Sequence, residues 1–522
     1  MINRDYITAL LILLTVTLTA TAQRRGVGCW RGLPARQMVA GARQLSRQVT
    51  ENTESNPFIG TKHGLVILAE FSDKQFKTGN NWDKYNNILN GIDFTSREGF
   101  VGSVRDYFRN QSGGLFDLVF DVMGPYTLKN DYKYYGENDS KGDDKRPEEM
   151  VKEMCIAADE DVNFADYDWD GDGEVDEVFI VYAGKGEADG GGVNNIWPHM
   201  WSMEEADGKT LDLDGVKINI YACANELKAS GSINGIGTFC HEFSHCMGLP
   251  DFYDIYYKGY FGMSDFDLMS GGNYMGNGFR PVGYTAYEKM VCGWQEPIVL
   301  SDEDVEVDHL LPLSEYGESY IIYNDNHPDE FYMIENRQKT GWDTDYPAKG
   351  LMITHVDYDE EVWANNIPNS ILTLREAREE GYSVGNDHQR MTIFHADNND
   401  DSQYWRASAG YYSKTTLTND LYPYLRNDSL TATSMPAATL YNKNSANNRL
   451  MQGAILNITQ NSDKTISFRY RAGKEPVVDA IRTVSTSPSS TIYRLDGRPV
   501  KNADATSLRH GIYVINGKKV VR

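Results

Sequence analysis

The spacing of hydrophobic positions changes several times along the chain. Leu65-Val66-Ile67-Leu68-Ala69 and Val178-Phe179-Ile180-Val181-Tyr182 are unbroken apolar runs of strand length, which predicts central strands buried on both faces. Between them, Met150, Val151, Met154 and Cys155 recur at helical spacing behind Pro147, and a second amphipathic stretch covers residues 104–109. Ile236, Phe239, Phe243 and Met247 step by three and four residues, predicting a helix of about three turns with one core-facing stripe. Beyond residue 300, short β-like segments such as 319–323 and 465–470 alternate with Asn, Asp and Gly turns. The expected fold class is α+β, with a core of mixed strands and helices followed by a mainly β region.

The last predicted helix carries chemistry on its polar side. It reads His241-Glu242-Phe243-Ser244-His245-Cys246-Met247-Gly248-Leu249-Pro250-Asp251. Histidines four apart on a helix share a face and can hold one zinc ion, while Glu242 sits beside the metal as a carboxylate able to move a proton. A catalytic zinc takes three protein ligands. Gly248 suits a left-handed helix end and Pro250 forbids continuation, so the chain is expected to turn and return Asp251 to the metal, with Asp254 in reserve.

Downstream, Phe266-Asp267-Leu268-Met269-Ser270-Gly271-Gly272 resembles the methionine turn of metzincin peptidases, with Met269 as its methionine. With Gly64-Leu65-Val66-Ile67-Leu68, Ser103-Val104-Arg105-Asp106-Tyr107-Phe108, Leu249-Pro250-Asp251-Phe252-Tyr253-Asp254 and Cys292-Gly293-Trp294, the region 60–300 resembles the immune inhibitor A group of secreted zinc metallopeptidases. The resemblance implies endopeptidase activity on protein or peptide substrates, with zinc on His241, His245 and Asp251 and Glu242 as the base. Tyr274, by position after the methionine turn, is a candidate for stabilising the oxyanion.

A second motif spans residues 166–177, where seven carboxylates fall in twelve positions. Asp166, Asp168, Asp170, Asp172, Glu174 and Glu177 occupy positions 1, 3, 5, 7, 9 and 12 of a calcium loop with Gly171 at position 6, so a structural calcium is expected. The plainer reading is a solvated acidic turn.

The ends of the chain carry addresses. Arg4, the apolar run over residues 7–18 and Ala20-Thr21-Ala22 read as a signal peptide over 1–22, cleaved before Gln23, for a secreted or cell-surface protein. Residues 23–60 read as a propeptide or arm, 61–300 as the peptidase domain and 301–475 as a β-rich domain. Residues 476–522 resemble the C-terminal sorting domains of type IX secretion, which makes that machinery a candidate partner. No segment reaches the length of a membrane span.

Fifty Lys and Arg against 75 Asp and Glu give a net charge of −25, which argues against nucleic acid as a partner. Six cysteines allow disulfides in an oxidising compartment. Two rival functions share these features: a calcium-binding surface protein that uses the peptidase scaffold for adhesion or glycan binding, and a zinc hydrolase of non-peptide amides.

Overall fold

A computed structural model describes residues 56–140, 142–400 and 417–473, and three short strands between 492 and 521. The expected signal peptide, most of the expected propeptide, and Cys29 lie outside the described residues. The chain divides into two compact units, one ending at Val477 and the other running from Val478.

In the first unit, the two unbroken apolar runs lie in β1 (Gly60–Glu70) and β3 (Val178–Lys185). They pair in parallel, flanked by β2 (Phe116–Thr127), β7 (Ile220–Leu227) and β4 (His199–Ser202) in the order β2-β1-β3-β7-β4. β4 is antiparallel to β7 and forms an edge, and β5 (Leu211–Leu213) with β6 (Val216–Ile218) makes a separate hairpin.

Parallel neighbours require crossovers, and here helices fill both faces. α1 (Trp82–Asn90), α2 (Val104–Gln111) and α4 (Gly237–Cys246) cover Val66, Leu68, Phe179 and Val181, while α3 (Pro147–Ala158) covers Leu65, Ile67, Val178 and Ile180. The mixed strands and helices expected from the sequence thus take, in this region, the form of a three-layer α/β sandwich. The alternation of two equally apolar strand faces is the cause.

α2 starts on a capping box in which Ser103 and Asp106 satisfy each other's backbone amides. α3 starts on Pro147, whose missing N–H costs nothing in the first turn.

A second sheet has the order β13-β12-β11-β10-β8, from β8 (Ile298–Val299), β10 (Tyr320–Asn324), β11 (His327–Arg337), β12 (Gly350–Asp357) and β13 (Met391–Ile393). A third has the order β14-β15-β9, from β9 (Val305–Leu310), β14 (Ala454–Gln460) and β15 (Ile466–Arg471).

The junction between the first two sheets is polar and buried. Arg337, 1% exposed at the end of β11, donates to the carbonyls of Tyr284 (3.0 Å) and Gly283 (2.9 Å) and pairs with Glu335 (3.3 Å) and Asp343 (3.2 Å). Its guanidinium lies over the Tyr346 ring, whose hydroxyl donates to Phe266 O at 2.7 Å. Glu335 in turn accepts from the Ala286 amide that opens α5 (Ala286–Val291).

In the second unit, β16 (Ile492–Arg494), β17 (Ile512–Ile515) and β18 (Lys518–Val521) form an antiparallel sheet. Among the described residues, no helix is long and apolar enough to cross a membrane. Cys155, Cys223, Cys240, Cys246 and Cys292 are free thiols, so the disulfides the sequence allowed do not form among them, and all but the half-buried Cys246 pack as small apolar side chains.

Candidate metal centre

α4 is fixed against the sheet by the stripe Ile236, Phe239, Phe243 and Met247, all buried in one core. Phe239 stacks on Phe179 of β3 at 3.8 Å between ring centroids, and Phe243 packs on Phe108 at 5.2 Å. The helix start lies against the turn Gly271–Gly278 so closely that a Cβ on Gly237 would fall 1.9 Å from Asn273 O. Only glycine permits this approach.

At the other end, Leu249 N donates to Ser244 O (3.1 Å) and Gly248 N to His245 O (2.8 Å), with Gly248 at φ +92°. This is a Schellman closure, which satisfies the last carbonyls and reverses the chain. The reversal carries Asp251 back over the helix.

The off-stripe face holds His241 and His245, their rings 4.8 Å apart. His241 Nδ1 lies 2.9 Å from Leu268 O and His245 Nδ1 lies 2.7 Å from Leu249 O. A carbonyl only accepts, so Nδ1 carries the proton in each neutral ring and the Nε2 lone pair points away. Both Nε2 atoms converge on Asp251 Oδ1, at 3.2 and 3.4 Å.

With both rings neutral, as a metal requires, Asp251 Oδ1 is buried and receives no hydrogen bond. Three lone pairs thus meet at one buried point. The three ligand atoms lie within 4.8 Å of one another, a donor set of two imidazoles and a carboxylate that fits zinc.

The electrostatics agree with a site built for a cation. Burial opposes a charge on His241, but the Asp251 carboxylate, with Glu242, lifts its pKa to about 9, so that without a metal a proton on Nε2 takes the place of the cation. Burial also works against a charged Asp251, yet His245 and His241 hold its carboxyl well below the usual range.

Glu242 is buried beside the three and lies outside the ligand group. Burial pushes its pKa up, while His241, His245 and the Met200 backbone amide of β4 pull it down. Asp254, the reserve ligand, is committed elsewhere, accepting from Ser370 Oγ (2.9 Å) and from the amides of Tyr256 (3.2 Å) and Gly259 (3.1 Å).

Met269 is fully buried under the site, and its carbonyl accepts from Phe252 N at 2.7 Å. The turn acts through its backbone, because the neighbouring Leu268 carbonyl orients His241. Tyr274 is 60% exposed, but its hydroxyl pKa is raised by desolvation at that end and then by the Asp189, Glu242 and Asp251 carboxylates, which puts it within electrostatic range of the centre.

Sequence reasoning missed Asn366. Its side chain accepts from Asp251 N at 2.6 Å and donates to Asp251 Oδ2 at 2.7 Å. The local signal is an Asn-Asn-Ile-Pro helix end, which announces a turn and says nothing of its partner.

The acidic loop is arranged differently from the expected register. The structure groups carboxylates of Asp168, Asp170 and Asp176. Asp166 instead accepts from Asn163 (3.0 Å), Glu174 pairs with Lys217 (2.9 Å), Asp172 accepts from Glu174 N (2.9 Å), and Glu177 is buried inward beside Gly64. Asp168 accepts from the amides of Gly171 and Gly173, at 2.8 and 2.9 Å. A register begun at Asp168 puts Gly173 at position 6 and Asp176 at position 9 but Phe179 at position 12, where the register begun at Asp166 has Glu177.

The remaining described histidines with assigned partners are held structurally. His63 meets Asp121, His199 meets Trp197 O and Tyr221, His309 meets Thr465, His355 meets Glu330, His388 meets Asp357, and His395 meets Asp420.

Comparison with known proteins agrees with this geometry. Residues 59–294 match the family model of the immune inhibitor A peptidase M6 catalytic domain. The pre-pro-metalloprotease PrtV of Vibrio cholerae serotype O1 (strain M66-2) is 30% identical over 220 residues, 37% of this chain and 23% of that protein. Immune inhibitor A of Bacillus thuringiensis subsp. alesti is 27% identical over 269 residues, 43% of this chain and 38% of that protein. The chain thus spans well under half the length of these curated relatives. Residues 59–294, which hold the two histidines, Glu242 and Asp251, are thus similar to the catalytic domain of immune inhibitor A-like metallopeptidases.

Proposed function

We propose that this chain is a secreted or cell-surface zinc endopeptidase that hydrolyses peptide bonds in extracellular proteins. The observation that carries this reading is the convergence of His241 Nε2, His245 Nε2 and the donorless Asp251 Oδ1 on one buried point. When bound there, zinc supplies Lewis acidity that polarises the scissile carbonyl and acidifies the attacking water.

The protein's own residues do the rest. Glu242, with its proton affinity raised by burial, takes a proton from the attacking water and returns it to the leaving amine. Tyr274 is assigned the developing oxyanion, since its hydroxyl feels the same carboxylates as the centre. The unpaired side of edge strand β4, whose Met200 amide faces Glu242, is assigned to align an extended substrate by strand addition.

A structural calcium in the 166–177 loop, export through the 1–22 signal peptide, and a 476–522 tail addressed to type IX secretion complete the proposal, as do the metzincin-like core over 61–300 and the mainly β region over 301–475. Casein hydrolysis by the purified chain tests it. Activity should vanish with a chelator, return with zinc, and be absent from Glu242→Ala even when that variant is zinc-loaded. Zinc-loaded protein with no peptidase activity would move the function to a non-peptide amide or to binding.

A further inference from the structure

Two helix ends meet at the third carboxylate. One is the Schellman closure at Gly248. The other belongs to α6 (Glu360–Ala364), where Ile367 N donates to Val362 O (3.1 Å), Asn366 N to Trp363 O (3.0 Å), and Asn366 stands at φ +55°. Glycine is the usual residue at such a position and asparagine the next choice. Asparagine adds an amide, and this one is 3% exposed and aimed at Asp251, 115 residues earlier in the chain.

The orientation of that amide is fixed by chemistry. A backbone N–H only donates, so the atom facing Asp251 N is the Asn366 oxygen, and the Asn366 nitrogen must then donate to Asp251 Oδ2. The paired bonds fix the plane of the carboxylate. They also occupy Oδ2, so that Oδ1 alone is presented to the two imidazoles.

The residues on either side of Asn366 continue the support. Asn369 Nδ2 donates to Phe252 O (2.9 Å), Ser370 Oγ to Asp254 Oδ1 (2.9 Å), and Trp363 packs edge-on against Phe252 at 6.3 Å. Trp363, Asn366, Asn369 and Ser370 all lie between β12 and β13, beyond the matched residues 59–294.

We propose that Asn366 is a positioning residue of the metal centre, locking Asp251 so that the centre is complete only with the loop that follows β12. This rests on the zinc reading of the site. Asn366 touches no reacting atom and acts through Asp251.

The test uses the full chain with Asn366→Gly and Asn366→Asp, both tolerant of positive φ. Glycine deletes both hydrogen bonds, while aspartate keeps the acceptor and replaces the donor with a like charge. Zinc affinity is read by competition with a chromophoric chelator, beside thermal melting of the metal-free protein. Asn366→Gly should weaken zinc binding by about 10- to 100-fold, the usual cost of losing a group that orients a ligand. Asn366→Asp should lose at least as much, because it sets a second carboxylate against Asp251 Oδ2 in place of the donor.

Zinc affinity within twofold of wild type in either variant overturns the proposal. So does a loss that appears only in proportion to melting of the metal-free protein, because that is the mark of a merely structural staple. Folded wild-type chain that binds zinc no better than His245→Ala overturns the zinc reading itself, a separate result from equal affinity of wild type and Asn366→Gly.

Discussion

Replacing Arg337 by methionine, which fills similar volume without charge, removes the cation at the junction of the first two sheets. The side chain is 1% exposed and makes four polar contacts, to the carbonyls of Gly283 and Tyr284 and to Glu335 and Asp343. Breaking a buried pair by removing one partner costs about 3–5 kcal/mol, because the charge left behind has neither water nor counterion. Lys289, whose Nζ donates to Gln111 O at 2.6 Å, is held down at about 8 by burial and then by Arg337 itself. It will protonate more firmly in the variant and restore part of the field, which puts the expected loss near the lower end, about 3 kcal/mol.

The loss should also depend on pH. Burial raises the Glu335 pKa to about 7 even with Arg337 opposing, and removing Arg337 raises it further. Below about 7, both proteins hold this proton when folded, so Glu335 contributes little to their difference. Above about 7, wild type releases it beside a compensating guanidinium, whereas the variant must keep the proton or bury a bare charge, and the difference widens. Urea denaturation followed by tryptophan fluorescence measures this. With m of about 3 kcal/mol/M, the midpoint should fall by about 1 M at pH 8 and by less at pH 6. A loss under about 1 kcal/mol at pH 8, or one constant from pH 6 to 9, would refute the reasoning.

Two further predictions concern the proposed sites. Tyr274→Phe should lower kcat on a casein peptide by about 10²-fold with little change in KM, as loss of an oxyanion donor does, and full turnover would remove Tyr274 from the mechanism. Calcium at about 100 times its Kd should stabilise wild type by about 2.7 kcal/mol in thermal melts. Asp176→Asn should abolish that stabilisation and Glu174→Gln should leave it, since Lys217 already engages Glu174; the opposite pattern would restore the register begun at Asp166.

The parts of the site that could be read from the sequence are those whose geometry is local. The spacing of His241 and His245 places two rings on one helix face, and the stripe through Phe239 and Phe243 decides which face turns to the core. Gly248 and Pro250 announce the reversal that returns Asp251. The unbroken runs in β1 and β3 signalled burial on both faces, but not that the flanking helices would divide between those faces, because crossover connections carry no residue code of their own.

Where the sequence left the arrangement open, more than one register was possible or the partner was remote. Acids at every second position from Asp166 to Glu174 admit two loop registers with a glycine at position 6, although only the one begun at Asp166 has an acid at position 12. The choice is made by pairing through another element: Val175 N donates to Lys217 O, Lys217 N to Gly173 O, and the Lys217 side chain engages Glu174.

Asn366 is the stronger case. Nothing within ten residues of it mentions a metal, and nothing near Asp251 mentions an amide, yet the two close a pair of hydrogen bonds that neither could make alone. A segment cut at residue 294 would keep all three donors and Glu242 while losing Asn366 and Arg337. The motif therefore specifies which atoms can meet, and the second sheet with its following loop fixes the angle at which the carboxylate arrives.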